Sequence, residues 1–526
     1  MRTTPLPLAA AAALLAACSS SDYGASYADA TSSTDGVAST GGYFDGDDDD
    51  DDPGTYTLPP ETESDFLALP PAQTEKYVFV ANPDRDTVTR VNVRTLEVLT
   101  TGVGRDPDIV LTTPDFATAA VYNRGDDSVS IVDAATLDVV DVPVRDDLNQ
   151  MQMSPDGTWV ALFHDIANER PDDPPAQGLE SFNEASFVNL LTAEHFPMAV
   201  GFNPRMVRYT PDSHLAVIVS DAYLAVVDLD STPLLPQLIE LTPGLLDPPR
   251  AEEVVLAPDG SYAFVRQFGT DEVLVVDLAA RTVDPVPVGS NPTDLDLSPG
   301  GAQAVVVARD ARQLWILDTT DPFAPPGVLD LPKDLPLGSL LFDPTGDQAV
   351  IYTTAGLIDR YVTWDLATDE LTTRALIKPV TGMAITPTGN SMLAFHTFED
   401  APGAALSPFS GSWALTIFSL DDFRTNPLKL PGEPIGYANA NDGLRGYFIM
   451  EDQPFLEVLD YVTMLPDEIV LKSKPVYVGV LPPLDGQTEP PAWVSQDHEL
   501  GRISFYEPET ETVETITGFE LNSAIE

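Results

Sequence analysis

Three observations predict an all-β fold built from repeats. After residue 75 the chain is a series of short runs, each four to eight residues long, that are apolar or alternate between apolar and polar. The 49 prolines argue against a helical protein. A turn led by proline returns at spacings of 41, 56, 47, 41, 45 and 43 residues, at Pro114, Pro155, Pro211, Pro258, Pro299, Pro344 and Pro387. This period predicts four-stranded antiparallel blades arranged in a ring, a β-propeller.

The first seventeen residues predict a secretory signal. Arg2 supplies a positive charge, and an apolar run of about a dozen residues follows it and ends in Ala16 and Ala17. The run is too short to span a bilayer, which needs about twenty apolar residues.

The only cysteine of the chain, Cys18, stands directly after this signal. The segment Leu15-Ala16-Ala17-Cys18 resembles the lipobox of bacterial lipoproteins, in which the cysteine is acylated after cleavage. The resemblance implies lipidation of Cys18 and anchoring to a membrane, and Ser19 after it implies sorting to the outer membrane, facing the periplasm or the cell surface. An ordinary signal peptide followed by a free thiol is the alternative.

Residues 18–75 are predicted to form an acidic tether. Residues 19–75 contain fourteen Asp or Glu and no Lys or Arg, and residues 47–52 are all aspartate. Such a segment buries too little apolar surface to offset the entropy of the chain, so we expect it to be disordered. The aspartate run lacks the spaced ligands and the glycine of an EF-hand loop, which favours a self-repelling spacer over a calcium site.

Residues 76–526 are predicted to form the propeller. The clearest unit, residues 251–289, holds four strand-like runs separated by Pro-Asp-Gly or Asp-rich turns. Nine full units and one partial unit can be counted, which indicates eight to ten blades in one ring, with two rings as an alternative. The partial unit at the start lacks a first strand, and we expect residues 520–526 to supply it and close the ring.

The phrases YVFVANPDRDTVTRVNVRTLEVL and VGSNPTDLDLSPGG resemble the YVTN-type β-propeller repeat, which is related in shape to WD40 and lactonase-like propellers. The run Phe79-Val80-Ala81-Asn82 comes nearest to the naming motif, and Phe79 and Ala81 depart from it. The resemblance implies a propeller, and it leaves the function open because one propeller fold hosts many functions.

The longest insertions mark the face on which binding is expected. Residues 166–185 and 399–411 interrupt the connection between a second and a third strand, and we expect the between-blade stretch 230–250 to lie on the same face. Loops on a rigid scaffold usually carry binding residues. Five aspartates that end strands are instead expected to bond turn backbone: Asp133, Asp228, Asp277, Asp318 and Asp365.

Three histidines are expected at the ends of second strands, at His164, His396 and His498. Acidic neighbours extend this set of candidate binding residues: Asp165, Glu399, Asp400 and Asp497. Imidazole and carboxylate groups suit a divalent cation or acid-base chemistry. The histidines come from non-adjacent units, so isolated surface or capping roles are favoured over a shared metal site, and we expect no cofactor.

The sequence favours a binding protein over an enzyme. It contains no Walker loop, no His-Glu-x-x-His, no Gly-x-Ser-x-Gly and no Rossmann fingerprint. The net charge of −57 argues against binding nucleic acid. We expect a non-catalytic propeller that recognises an envelope protein or polysaccharide, with an envelope enzyme of the lactonase-like or of the metal- or quinone-dependent oxidoreductase type as the alternative.

Overall fold

The computed structural model describes residues 72–74, 76–168, 182–244, 249–483 and 487–519. These residues form ten four-stranded antiparallel sheets, and in every sheet the four strands are consecutive in the chain. The fold is therefore a β-propeller of ten blades, at the upper end of the predicted range. The signal sequence, Cys18 and nearly all of the tether lie outside the described residues.

The blades follow one another along the chain, and their first, second, third and fourth strands are numbered consecutively. Blades 1 to 3 contain β1 Ala72–Gln73, β2 Tyr77–Asn82, β3 Thr87–Asn92, β4 Val98–Gly102, β5 Pro107–Thr112, β6 Thr118–Asn123, β7 Ser128–Asp133, β8 Val139–Pro143, β9 Gln150–Met153, β10 Trp159–Phe163, β11 Glu184–Asn189 and β12 Glu194–Ala199. Blades 4 to 6 contain β13 Pro204–Tyr209, β14 Leu215–Ser220, β15 Tyr223–Asp228, β16 Gln237–Glu240, β17 Ala251–Leu256, β18 Tyr262–Gln267, β19 Glu272–Asp277, β20 Thr282–Pro287, β21 Pro292–Leu297, β22 Gln303–Ala308, β23 Gln313–Asp318 and β24 Gly327–Asp330. Blades 7 to 10 contain β25 Ser339–Phe342, β26 Gln348–Tyr352, β27 Arg360–Asp365, β28 Glu370–Ala375, β29 Val380–Ile385, β30 Ser391–His396, β31 Ala414–Ser419, β32 Thr425–Lys429, β33 Pro434–Asn439, β34 Arg445–Met450, β35 Phe455–Asp460, β36 Leu465–Val470, β37 Pro475–Val480, β38 Ala492–Gln496, β39 Arg502–Glu507 and β40 Thr512–Thr517.

The only helical segments in the described part of the chain are two short 3-10 turns, Pro83–Arg85 and Ile166–Asn168. None of the described residues forms a helix long and apolar enough to cross a membrane.

The middle strands explain the continuous apolar runs in the sequence. The second strand of blade 6, β22, is buried from Ala304 to its end because neighbouring blades cover both of its faces. The fourth strand of blade 5, β20, lies at the rim and alternates between exposed and half-buried positions. The core consists of ten apolar clusters, one at each junction between neighbouring blades.

The ring closes by packing between blades 10 and 1 and not by an exchanged strand. Strand β1 occupies the first position of blade 1, with Ala72 opposite Phe79. Residues 520–526, which were expected to fill this position, lie outside the described residues. Within the described chain, Trp493 of blade 10 is buried at the junction and its Nε1 donates to Gln73 Oε1 at 2.6 Å, while Gln73 Nε2 donates to the carbonyl of Val480. Within the described residues the first strand of the propeller is Ala72–Gln73.

The proline-led turns pack against one another around the ring. Gly157 has a φ of 73°, which favours glycine, and a Cβ at this position would lie 2.6 Å from Pro114 of the preceding blade. At Gly301 the same contact to Pro258 would be 2.1 Å. At these two turns glycine therefore makes room for the proline of the preceding blade's turn.

These turns define one face of the ring. We call it the turn face; it carries the connections from first to second strands and from third to fourth strands. The opposite face, the loop face, carries the connections from second to third strands and those between blades. The prediction for residues 230–250 is wrong in part, because Ser231 and its neighbours join β15 to β16 on the turn face and only residues 241–250 lie between blades.

Candidate functional site

His396 ends the second strand of blade 8, as predicted, but its ring is buried and fully bonded. Nδ1 donates to the carbonyl of Lys378 at 2.9 Å, and Nε2 accepts from Thr416 Oγ1 at 2.7 Å. Burial lowers the pKa of His396 to about 4. The neutral ring joins the between-blade loop to blade 8, so its contacts are structural.

Lys378 is the centre of the insertion in blade 8. The residue is only 2% exposed, and its ammonium donates to the carbonyls of Phe398, Phe409 and Ser412 at 2.8, 3.1 and 2.8 Å. Three charge-assisted bonds satisfy all three donors of the ammonium. They draw both ends of residues 397–413, which we call the blade 8 loop, onto one buried charge. The loop is therefore a fixed structure.

The predicted residues Glu399 and Asp400 lie in this loop. Asp400 is partly exposed and one carboxylate oxygen lies 3.6 Å from Lys378 Nζ. The carbonyl of Glu399 accepts from Thr397 Oγ1 at 2.8 Å, which leaves its carboxylate outside this bond. Next to them the ring of Phe398 meets Trp413 edge-on, with centroids 5.9 Å apart.

His164 and Asp165 follow the second strand of blade 3, as predicted, and both are buried. His164 Nδ1 lies 2.6 Å from the carbonyl of Asp147, and its ring meets Phe182 edge-on at 5.0 Å. Asp165 accepts from the backbone of Ala167 at 2.9 Å and so caps the 3-10 turn. Most of the predicted insertion after this turn, residues 169–181, lies outside the described residues.

Asp497 and His498 form the corresponding connection of blade 10. The backbone of Asp497 donates to the carbonyl of Lys474 at 2.8 Å. His498 Nδ1 accepts from the backbone of Leu500 at 3.1 Å, which makes the ring part of a tight turn. Asp497 is exposed.

The three histidines do not come together, since they belong to blades 3, 8 and 10. Among the described residues, two other groups place three ligand atoms within 4.8 Å of one another, namely His214 with Asp228 and Asp230, and Glu253 with Asp294 and Asp296. Neither group was predicted. The first is exposed on the turn face of blade 4, where His214 Nδ1 bonds Asp230 at 3.0 Å.

The second group belongs to a charged network on the first strands of blades 4 to 6. Glu253 pairs with Arg266 at 2.9 Å across its own sheet, and Arg208 Nε donates to the carbonyl of Val254 in the next blade at 3.0 Å. Burial lowers the pKa of Arg208 to about 10, and the nearby Glu253 and Asp296 oppose that shift. Two guanidinium groups, Arg208 and Arg266, thus lie among these three carboxylates.

Five exposed apolar side chains lie on the loop face of blades 7 to 9, while Phe202 and Phe268 are exposed on the loop face of blades 3 to 5. We call the following residues the apolar sector: Leu357, Ile377, Phe398, Leu406 and Ile435. Leu406 is 92% exposed at the tip of the blade 8 loop. On the turn face the exposed apolar side chains are spread over blades 3, 4, 6 and 9, as scattered single residues usually are.

Sequence reasoning missed Lys378, Arg208 and the apolar sector. A lone lysine in the apolar segment around residue 378 was a weak signal that this charge must be buried and bonded. The arginines Arg205 and Arg208 in the first strand of blade 4 were a second weak signal. A first strand is otherwise covered by neighbouring blades, so charges within it indicate buried polar contacts.

Comparisons with known proteins give likeness in fold only. No family model matches the sequence, and no curated protein matches it. A solved structure of the dihydro-heme d1 dehydrogenase NirN in complex with DHE is similar at 16% identity and a TM-score of 0.41, over 70% of this chain and 75% of that one. The structure of a eukaryotic initiation factor is similar at 12% identity and a TM-score of 0.49, over 76% of this chain and 97% of that one. The propeller domain of Cps50 (Swd1) from Myceliophteria thermophila is similar at 13% identity and a TM-score of 0.34, over 62% of this chain and 97% of that one. At these values none of them bears on function, and the ten-blade fold rests on the strand pairing itself.

Proposed function

We propose that this chain is a lipid-anchored, non-catalytic binding propeller that recognises a protein or polysaccharide at the bacterial outer membrane through the loop face of blades 7 to 9. The observation that carries the proposal is the blade 8 loop. A buried charge, Lys378, fixes the backbone of this loop through three carbonyls, and the loop presents Phe398 and Leu406 to solvent.

A fixed backbone is what such a recognition site needs. Apolar side chains on a loop that orders only upon binding lose conformational freedom at that step, whereas a pre-ordered loop avoids the cost. Apolar groups that stay exposed in a folded protein commonly mark interaction sites when they gather on one surface. The loop of blade 8 has both properties.

The binding face is tested by crosslinking in cells. A photoreactive amino acid is placed at Leu406 or Phe398, and at Leu191 and Val462 on the turn face as controls matched in exposure. We expect an adduct of one size from both loop-face positions and none of that size from the controls. Identical adduct patterns from all four positions would refute the proposed face.

The anchor is tested separately through Cys18. Its support is the sequence Leu15-Ala16-Ala17-Cys18 at the end of the signal. We expect cells to incorporate labelled fatty acid into the protein and the Cys18→Ser variant to carry none and to leave the membrane fraction. An unlabelled wild-type protein would overturn this part of the proposal.

A further inference from the structure

The surroundings of the apolar sector are acidic. Glu399 and Asp400 directly follow Phe398 in the blade 8 loop. Across the next junction, the backbone of Glu451 donates to the carbonyl of Glu433 at 2.8 Å, which brings the two acidic residues together. Burial and the charge of Glu451 raise the pKa of Glu433.

These acidic residues lie next to the apolar residues along a continuous path of contacts. The ring of Trp413 packs on Phe398. The backbone carbonyl of Trp413 accepts a hydrogen bond from the backbone N–H of Leu430 at 3.0 Å. Leu430 begins the loop that carries Glu433, and Ile435 of the apolar sector follows two residues later. Phe398 and Ile435 of the apolar sector thus each lie within two residues of an acidic residue.

Two lysines near this acidic rim are already engaged. Lys378 is enclosed by three carbonyls and pairs with Asp400 from the buried side at 3.6 Å. Lys474, which also faces Glu451, is bound to Asp452. The carboxylates of Glu399, Glu433 and Glu451 beside the apolar residues favour a partner with the complementary pattern.

We propose that the apolar sector and its acidic rim dock a cationic polypeptide segment, with apolar side chains on one side and Lys or Arg beside them. This inference rests on the proposed function and specifies its partner. The tether of this chain is excluded as the occupant by like charge, since residues 19–75 carry fourteen acidic residues and no basic one. Anionic lipid headgroups and nucleic acid are disfavoured for the same reason.

The probe for this proposal is a synthetic amphipathic peptide of leucine and lysine, with a leucine and glutamate peptide as its counterpart. Each is titrated against the full chain carrying Cys18→Ser, and binding is followed by fluorescence anisotropy. We expect the lysine peptide to bind and the glutamate peptide not to bind. Loss of Phe398 and Leu406 through double substitution by serine is expected to weaken binding by about a hundredfold or more, since two large apolar side chains would no longer be buried against the peptide.

Matched controls separate docking from bulk attraction to a chain of net charge −57. The double variant Leu191→Ser, Val462→Ser on the turn face is expected to bind as the wild type does. Glu399→Gln with Glu433→Gln is expected to weaken binding and to reduce its salt dependence, while Glu370→Gln with Glu511→Gln leaves both unchanged. Circular dichroism of each variant checks that the ring is folded.

Equal affinities for all variants would overturn the inference, because binding would then follow net charge alone. If the crosslinks at Leu406 appear in cells while the peptide shows no preference for the loop face, the proposed function stands and the cationic class is wrong. A partner that is a neutral polysaccharide would give this second result. If no crosslink forms from Leu406 or Phe398 and the lysine peptide shows no preference for the loop face, the proposed function fails as well.

Discussion

Replacing Glu457 should stabilise the folded ring at alkaline pH. Glu457 lies in β35, is 7% exposed, and has a second carboxylate, Glu468, directly opposite it on β36. Burial, followed by repulsion from Glu468 and Asp467, raises the pKa of Glu457 from 4.5 to about 7. Glutamine keeps the size of the side chain and removes the charge, so we expect Glu457→Gln to be more stable than the wild type above pH 7.

The magnitude follows from the difference between the two pKa values. Between pH 4.5 and 7 the folded state binds the proton more tightly than the unfolded state does, so stability falls as the pH rises through this window and the whole penalty is present above pH 7. A raise from 4.5 to about 7 corresponds to at most about 3 kcal/mol at about 1.4 kcal/mol per pH unit. With an unfolding entropy of about 2 cal/mol/K per residue over about 450 residues, the unfolding midpoint rises by up to about 3 °C.

The assay is thermal unfolding followed by circular dichroism at pH 5 and pH 8. At pH 8 the unfolding midpoint of Glu457→Gln should be higher than that of the wild type. The difference between the two midpoints should become smaller towards pH 5. The exposed Glu370 provides the control, since Glu370→Gln should leave the unfolding midpoint unchanged at both pH values. A gap of equal size at pH 5 and pH 8 would show that packing and not ionisation is responsible, and a less stable variant at pH 8 would refute the reasoning.

Three further predictions concern the blade 8 loop, the closing junction and the histidines. Lys378→Met should free three carbonyls and raise the rate of proteolysis within residues 399–411 by at least about tenfold, measured by mass spectrometry of the fragments; unchanged cleavage would contradict its role. Gln73→Ala removes the bond to Trp493 and should lower the thermal midpoint by about 1–2 °C, and an unchanged midpoint would show that apolar packing alone closes the ring. In an NMR titration His396 should show a midpoint of about 4, whereas His214 should titrate above its ordinary value because Asp230 raises its pKa; a normal midpoint for His396 would contradict its burial.

The repeating part of the fold was predictable from sequence because its signals are local. Pro155 and Gly157 mark a turn whose geometry only a few residues satisfy, and the structure places that turn between the first two strands of blade 3. Asp133, predicted to bond turn backbone, accepts from Ala135 at 2.9 Å and from Thr136 at 2.7 Å. The repeat units therefore predicted a propeller of eight to ten blades, and the described residues form ten.

The closing junction and the site were less predictable because they depend on contacts between distant residues. Nothing near Gln73 indicates that its side chain bonds Trp493, 420 positions away. The position of His396 at a strand end was predicted correctly, but its burial depends on the loop that Lys378 assembles from residues 20 to 34 positions later. The sequence favoured a surface or capping role for His396 over a shared metal site, and it gave no sign of the buried bonds to Lys378 and Thr416 that the fold supplies.

The closing junction also bears on how such a ring can change its size. Among the described residues, the four strands of each blade are consecutive in the chain, and blade 10 and blade 1 exchange no strand. Duplicating or deleting the segment for one blade therefore alters the circumference without rerouting any other strand. The same property lets the chain be joined at its present ends and opened at another between-blade loop, such as the one near Gly289, with all ten sheets kept whole. The number of blades is thus a quantity that evolution and protein engineering can adjust one unit at a time.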